Sequence, residues 1–387
     1  MPDHGTTARE LLDRLVGFDT TSVKTNMPLI DYVKSYLDGH GIESHLVPTP
    51  DGRKASLFAT IGPTDRPGIG LSGHTDVVPV VGQHWTSDPF QVTERDGKLY
   101  GRGTCDMKGF LACVLAMVPE FRARNLKTPL HLVFSYDEEV GCTGVRPMIA
   151  ELGARLTRPR LVIVGEPTRM GIVDSHKGAT RFRTTVTGRE AHSSMTHIGV
   201  NAIHIAGMLI GELSRIEEEL RSGQQSPRFT PPYNTLQIGL IEGGRAQNIV
   251  PKHCSFSWEV RALPGFDIRT VTDRFAAFVH ERCLPSMQAI GKDTGIETVA
   301  VNGVPAFYSG ATSEAVSLAL KLMGQNQTHA VSYGTEAGLF QSGGCDSVIC
   351  GPGDIEQAHR PDEYIEASEL DRCLRFLGGL ADWSERN

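Results

Sequence analysis

A chain of 387 residues is longer than one compact core usually serves, so its length points to two domains. Hydrophobic residues at 40% and charged residues at 21% are ordinary proportions for a globular protein, and no apolar run is long enough to span a bilayer. The formal net charge of -7 argues against the basic surface that a nucleic-acid backbone requires.

The first residues, MPDHGTTARELLDRLVGFDTTS, lack the basic flank and apolar core of a signal peptide. They read as an amphipathic helix capped by Thr6 or Thr7, with Leu11, Leu12 and Leu15 on one face. Residues 68–72 form an apolar run ending at Gly73-His74-Thr75-Asp76. Asp106 follows in GRGTCDMKG, just before a helical pattern from Phe110 to Met117. A second apolar run, 130–136, ends at Asp137-Glu138-Glu139, and a third, 161–164, ends at Gly165-Glu166-Pro167. Late in the chain a helical pattern covers Ser313 to Met323, and a fourth run, Ser347 to Cys350, leads through Gly351-Pro352-Gly353 to His359. Apolar strands alternating with helices predict an α/β domain with a mostly parallel sheet.

The middle differs. From Arg181 to Thr187, Phe182, Thr184 and Val186 share one face, which predicts a half-exposed strand. A long helix follows over Asn201 to Leu220, with Ala202, Ile205, Leu209 and Leu213 in register. Two strands flanking Gly243-Gly244, a helix over about 267–281 and a strand at Ile296 to Val301 complete the order β-α-β-β-α-β, a ferredoxin-like α+β pattern. It reads as an insertion, residues 178–303, into a domain made of 1–177 and 304–387. Eight cysteines without a CxxC pair or a regular framework predict free buried thiols and a reducing compartment, the cytoplasm.

In an open α/β sheet, ligands bind beyond the carboxyl ends of the strands. Those ends carry His74, Asp76, Glu138, Glu139, Glu166 and, after a loop, His359, with Asp106 nearby. Singly, each has an ordinary structural explanation: a hydrogen-bonded histidine, a helix N-terminal acid, a solvated Glu-Glu pair, a turn, a surface imidazole. Their shared edge favours a common site. So many acids in one crevice require compensation, and imidazole with carboxylate but no thiolate suits zinc, cobalt or manganese. Two histidines and three acids exceed one tetrahedral ion and fit a pair sharing a bridging carboxylate.

The segments Ser72-Gly73-His74-Thr75-Asp76-Val77-Val78-Pro79, Gly101 to Gly109, Asp137-Glu138-Glu139-Val140-Gly141, Gly165-Glu166-Pro167-Thr168 and Ala358 to Tyr364 resemble, in order, those of the M20 metallopeptidase family. The likeness covers nearly the whole chain. It implies a zinc-peptidase-like catalytic domain and an inserted dimerisation or lid domain, hence a homodimer. It implies two divalent ions, zinc first and cobalt as an alternative. His74 and Glu166 would bind one, Glu139 and His359 the other, and Asp106 both. Asp76 would orient His74, Glu138 would be the general base, and a cis peptide would follow Asp106. Within Gly188 to Ser194, His192 would stabilise the oxyanion in a partner subunit's site; an ordinary loop histidine is the alternative.

Asn248 lies in the segment Gly243 to Pro251 that resembles the family's substrate contacts, and Arg261 suits an α-carboxylate clamp or, equally, an ion pair with Glu259. Glu336, in Tyr333-Gly334-Thr335-Glu336-Ala337-Gly338, would meet a substrate ammonium or serve structurally; that segment resembles the subgroup that deacetylates N-acetylornithine. Desuccinylases, acylases and dipeptidases of the same family stay open, as does a non-catalytic metal-binding dimer.

Overall fold

The computed structural model describes residues 4–387, which form two units. The smaller comprises His176–Ala306 with Ala330–Gly334; Phe307–His329, Thr335–Asn387 and the chain before His176 form the larger.

The larger unit is built on a sheet whose main path has eight strands. Its centre runs Leu130–Ser135, Ile69–His74, Leu161–Pro167, Asp346–Gly351, all parallel. On one side Ala55–Ile61 and Ser44–Pro48 add antiparallel strands; on the other, Val173–His176 and Phe307–Tyr308 follow. The first three central strands are buried at every position, which is why they read as unbroken apolar runs rather than alternations. The helix Gly109–Ala123 is buried on nearly all faces and packs into the main core with Leu71, Leu132 and Ile163.

At the N-terminus the helix spans His4–Val16 and buries Leu11, Leu12 and Leu15 as expected. Thr6 and Thr7 lie within its first turn, however, because the helix has already begun by His4; neither is its cap. A separate three-stranded sheet pairs Tyr364–Glu366, Lys98–Tyr100 and Thr93–Arg95.

The smaller unit is an antiparallel sheet in the order Thr235–Gly243, His253–Ala262, Gly178–Thr187, Gly295–Val304. Numbered by chain position this is 2-3-1-4, the ferredoxin-like arrangement. Phe182, Thr184 and Val186 face its core, where Phe182 stacks on Trp258 at 4.2 Å and Trp258 Nε1 donates to Thr184. The helix expected to end near 281 instead continues through Ile290. Val271, Phe275, Val279, Cys283 and Met287 carry one buried stripe across it at four-residue spacing, and a widened turn at Val279–Cys283 precedes Pro285, which has no N–H to give.

All eight cysteines are buried and free. Among the described residues no helix is long and apolar enough to cross a membrane.

Candidate metal centre

Parallel strands put their carboxyl ends on one edge, and register decides what stands there together. His74 lies opposite Ser135, so the turn after Ser135 delivers Glu138 and Glu139 just past the imidazole. Glu166 closes the next strand, and Gly351 the one after it. Two glycines permit this crowding. A Cβ on Gly165 would sit 2.1 Å from the Phe110 ring, and one on Gly351 would sit 1.9 Å from the Gly165 carbonyl. Neither position has room for a larger residue.

Asp106 occupies the centre. Its Oδ1 is 3.0 Å from His74 Nε2, and its Oδ2 is 3.3 Å from His359 Nε2. His74 Nε2 also lies 3.9 Å from Glu166, and His359 Nε2 lies 3.0 Å from Glu139. The Asp106–Met107 peptide is cis. Donor atoms around a tetrahedral zinc stand about 3.3–3.6 Å apart, given bonds of about 2.0–2.2 Å. The separations on the His74 side bracket that range and those on the His359 side fall at its lower edge or just below, so the donor set fits two ions sharing Asp106. His74, Asp106 and Glu139 have ligating atoms within 4.8 Å of one another, as do His74, Glu138 and Glu166. Glu138 is thus also within ligating reach.

The electrostatics make the same demand. Burial and the charge of Asp106 push Glu139 up to about 7 and drive Glu166 well above the carboxylate range. Burial also raises Glu138 well above it, with Glu139 and Asp106 adding to the effect and His74 opposing it. Asp106 is the exception: burial would raise it, but hydrogen bonds from His359 and His74 hold it well below. Bonds to Asp106 and Glu139 lift His359 to about 10. Among the described residues no lysine or arginine pairs with these four carboxylates. Two divalent ions would supply the four missing positive charges.

The supports of the site were not all legible. His74 Nδ1 lies 2.9 Å from the Asp76 carbonyl and 3.5 Å from its carboxylate. That carboxylate accepts the backbone N–H of Glu138 at 3.1 Å and the Ser22 hydroxyl at 2.7 Å, tying the histidine to the turn beside it. Ser22 carried no sequence signal. Glu363 and Arg102 fall inside the quoted motifs without an assigned role, yet Glu363 accepts the Asp106 backbone N–H at 3.1 Å and pairs with Arg102 at 2.6 Å.

Glu336 is 1% exposed, with Ser135 donating to one oxygen at 2.5 Å and Ser72 to the other at 3.2 Å; burial, opposed by those bonds, pushes it up to about 7. This favours its structural role over an ammonium contact. His192, Asn248 and Arg261 belong to the smaller unit. There the His192 and Asn248 segments pair: Ser193 N–H donates to the Asn248 carbonyl at 3.1 Å, and His192 bridges to Ile249. Arg261 donates to Glu259 at 2.9 Å, so its guanidinium is engaged within its own strand.

The pattern of "Peptidase family M20/M25/M40" matches residues 70–382. The chain is 36% identical over 380 residues to an acetylornithine deacetylase of Myxococcus xanthus, covering 95% of each. It is 33% identical over 365 residues to that of Proteus mirabilis, covering 94% of this chain and 92% of the relative. Its fold is similar to that of a dinuclear metal binding peptidase of the M20 family from Bacillus subtilis, with a TM-score of 0.67 at 17% identity over 98% of this chain and 97% of the other. A match over most of its length, and such identity to curated relatives, mean that the chain belongs to peptidase family M20/M25/M40 and is a metal-dependent amidohydrolase.

Proposed function

We propose that this enzyme hydrolyses N-acetyl-L-ornithine to L-ornithine and acetate. The observation that carries the hydrolytic reading is Asp106, whose two oxygens face two different imidazoles, His74 and His359. The choice of substrate rests on relatives named acetylornithine deacetylase at 33% and 36% identity.

In this reading His74 and Glu166 would hold one divalent ion, Glu139 and His359 the other, and Asp106 would serve both; zinc is the first candidate and cobalt the second. When bound, the pair supplies Lewis acidity toward the acyl carbonyl and toward water. Asp76 keeps the His74 imidazole in its ligating orientation. Glu138 takes a proton from the attacking water. The new C–O bond forms at the acetyl carbon, His192 Nε2–H donates to the developing oxyanion, and the C–N bond breaks as Glu138 returns its proton to the departing amine.

Arg261 would exchange Glu259 for the substrate α-carboxylate, beside Asn248. Glu336 would act on the substrate only through the serines it holds. We also infer a homodimer formed through the inserted residues 178–303, with that domain serving as a lid and with His192 supplied across the interface. The buried free thiols support a cytoplasmic setting.

Metal analysis of the purified protein, with kinetics on N-acetyl-L-ornithine, N-succinyl-diaminopimelate and a dipeptide, tests the proposal. Two ions per chain and the highest kcat/KM on the acetylated substrate are expected. A preference for either rival substrate would reassign the specificity within the family.

A further inference from the structure

Behind the candidate site lies an ion pair that the proposed reaction does not use. Arg102 and Glu363 are each 1% exposed and meet at 2.6 Å. A pair this buried is costly to desolvate unless its remaining donors and acceptors are also satisfied. Arg102 Nε is buried without a hydrogen-bond partner among the described residues, but the other groups of the pair are engaged along a single path. Glu363 Oε1 accepts the backbone N–H of Cys105 at 2.9 Å and of Asp106 at 3.1 Å. Its Oε2 takes Arg102 Nη1, which also reaches the Arg360 carbonyl at 3.3 Å. Arg102 Nη2 donates to Gln83 Oε1 at 2.6 Å, and the guanidinium lies 5.1 Å from the Trp85 ring, whose Nε1 donates to the same Gln83 oxygen at 3.1 Å. Gln83 Nε2 then donates to the carbonyl of His359 at 2.8 Å.

The path therefore starts at the backbone of Asp106 and ends at the backbone of His359. Those are the two residues whose side chains meet at 3.3 Å. His359 needs such support. Its side chain is 54% exposed, so packing does not fix it, and its φ of +65° is a conformation that non-glycine residues rarely hold unaided.

We propose that Arg102, Glu363 and Gln83 are positioning residues that set the spacing between the Asp106 carboxylate and the His359 imidazole, and so govern affinity for the ion those two would share. The inference rests on the proposed ligand assignment. It adds that one of the two ions depends on a hydrogen-bond path running 276 residues apart in sequence, from Gln83 to His359. Gln83 is the place to cut it, being only partly buried and remote from the core.

The test is Co2+ binding to metal-free full-length protein, followed by competition with a chromophoric chelator, for wild type, Gln83→Ala and Gln83→Glu. Gln83→Glu keeps an acceptor for Arg102 but sets a carboxylate against the His359 carbonyl. The wild type is expected to take two ions. In both variants one dissociation constant should rise about 10–100-fold while the other stays within about twofold. At saturating Co2+, kcat should return toward wild type. Two unchanged constants would overturn the proposal, and so would equal weakening of both ions together with a lowered unfolding midpoint, which marks a general loss of structure. A wild type that binds fewer than two ions would remove the ligand assignment itself, a failure distinct from that of the network.

Discussion

Nδ1 of His192 accepts the backbone N–H of Ser194 at 3.2 Å. A ring nitrogen that accepts a main-chain proton carries none itself, so the neutral imidazole keeps its proton on Nε2. The Ser194 hydroxyl, 2.8 Å from the same Nδ1, acts in the same sense by donating to it. That tautomer is the one an oxyanion donor needs. Loss of one such donor costs about 10²–10³ in kcat. His192→Ala is expected to lose turnover by that factor with its metal content unchanged, read by steady-state kinetics beside metal analysis. Undiminished turnover would reject the role.

Glu138 is held to Asp76 through its own backbone N–H, while its carboxylate takes the thiol of Cys142, a weak donor, at 3.4 Å. A well-placed proton carrier contributes about 10²–10⁴-fold. Glu138→Gln should therefore lose about that much kcat while retaining both ions. Because Glu138 is also within ligating reach alongside His74 and Glu166, the metal count is the sharper readout. A variant that loses one ion would make Glu138 a ligand, and one that keeps full activity would remove it from the chemistry.

Much of this was legible because burial on both faces writes itself into sequence. Strands such as Leu130–Ser135 are enclosed at every position and read as apolar runs, and their ends mark one edge of the sheet. Half-exposed strands were legible only where alternation was clean, as at Phe182, Thr184 and Val186. Short strands such as Lys98–Tyr100 are too brief for either pattern. The extended helix was underread because Pro285 breaks a helical pattern locally, while the stripe from Val271 to Met287 carries it onward. Gln83, Ser22 and the Glu363–Arg102 pair could not be assigned, since each depends on a partner 54 to 276 residues away. Only folding reveals which backbone atom a distant carboxylate will meet.

Removing metal should loosen the larger unit. Asp106, Glu138, Glu139 and Glu166 crowd two imidazoles without a lysine or arginine partner among the described residues. A ligand present at about 100 times its dissociation constant adds about 2.7 kcal/mol to the folded state. Chelation is expected to lower the unfolding midpoint by several degrees, and Zn2+ should restore it. Calorimetry with and without chelator decides, and an unmoved midpoint would count against ions at this site.

His131 predicts a pH dependence that has nothing to do with catalysis. It is fully buried, stacks on Phe58 at 5.2 Å and meets the Thr60 hydroxyl at 2.9 Å through Nδ1, while its Nε2 has no partner among the described residues. Burial lowers its pKa to about 4, so the folded protein keeps the ring neutral. An unfolded chain protonates the same ring near about 6.5. Between those values the unfolded state binds the extra proton, so stability is complete above about 6.5 and falls as the pH drops toward 4, by about 1.4 kcal/mol per unit at most and about 3 kcal/mol in all. Urea unfolding of chelated protein at pH 7, 6 and 5 should show this slope in wild type and a shallower one in His131→Asn, which keeps a polar partner for Thr60 but does not titrate. Other titrating groups are common to both proteins and cancel in the difference. Equal slopes would mean that the buried ring already carries, or never takes up, that proton.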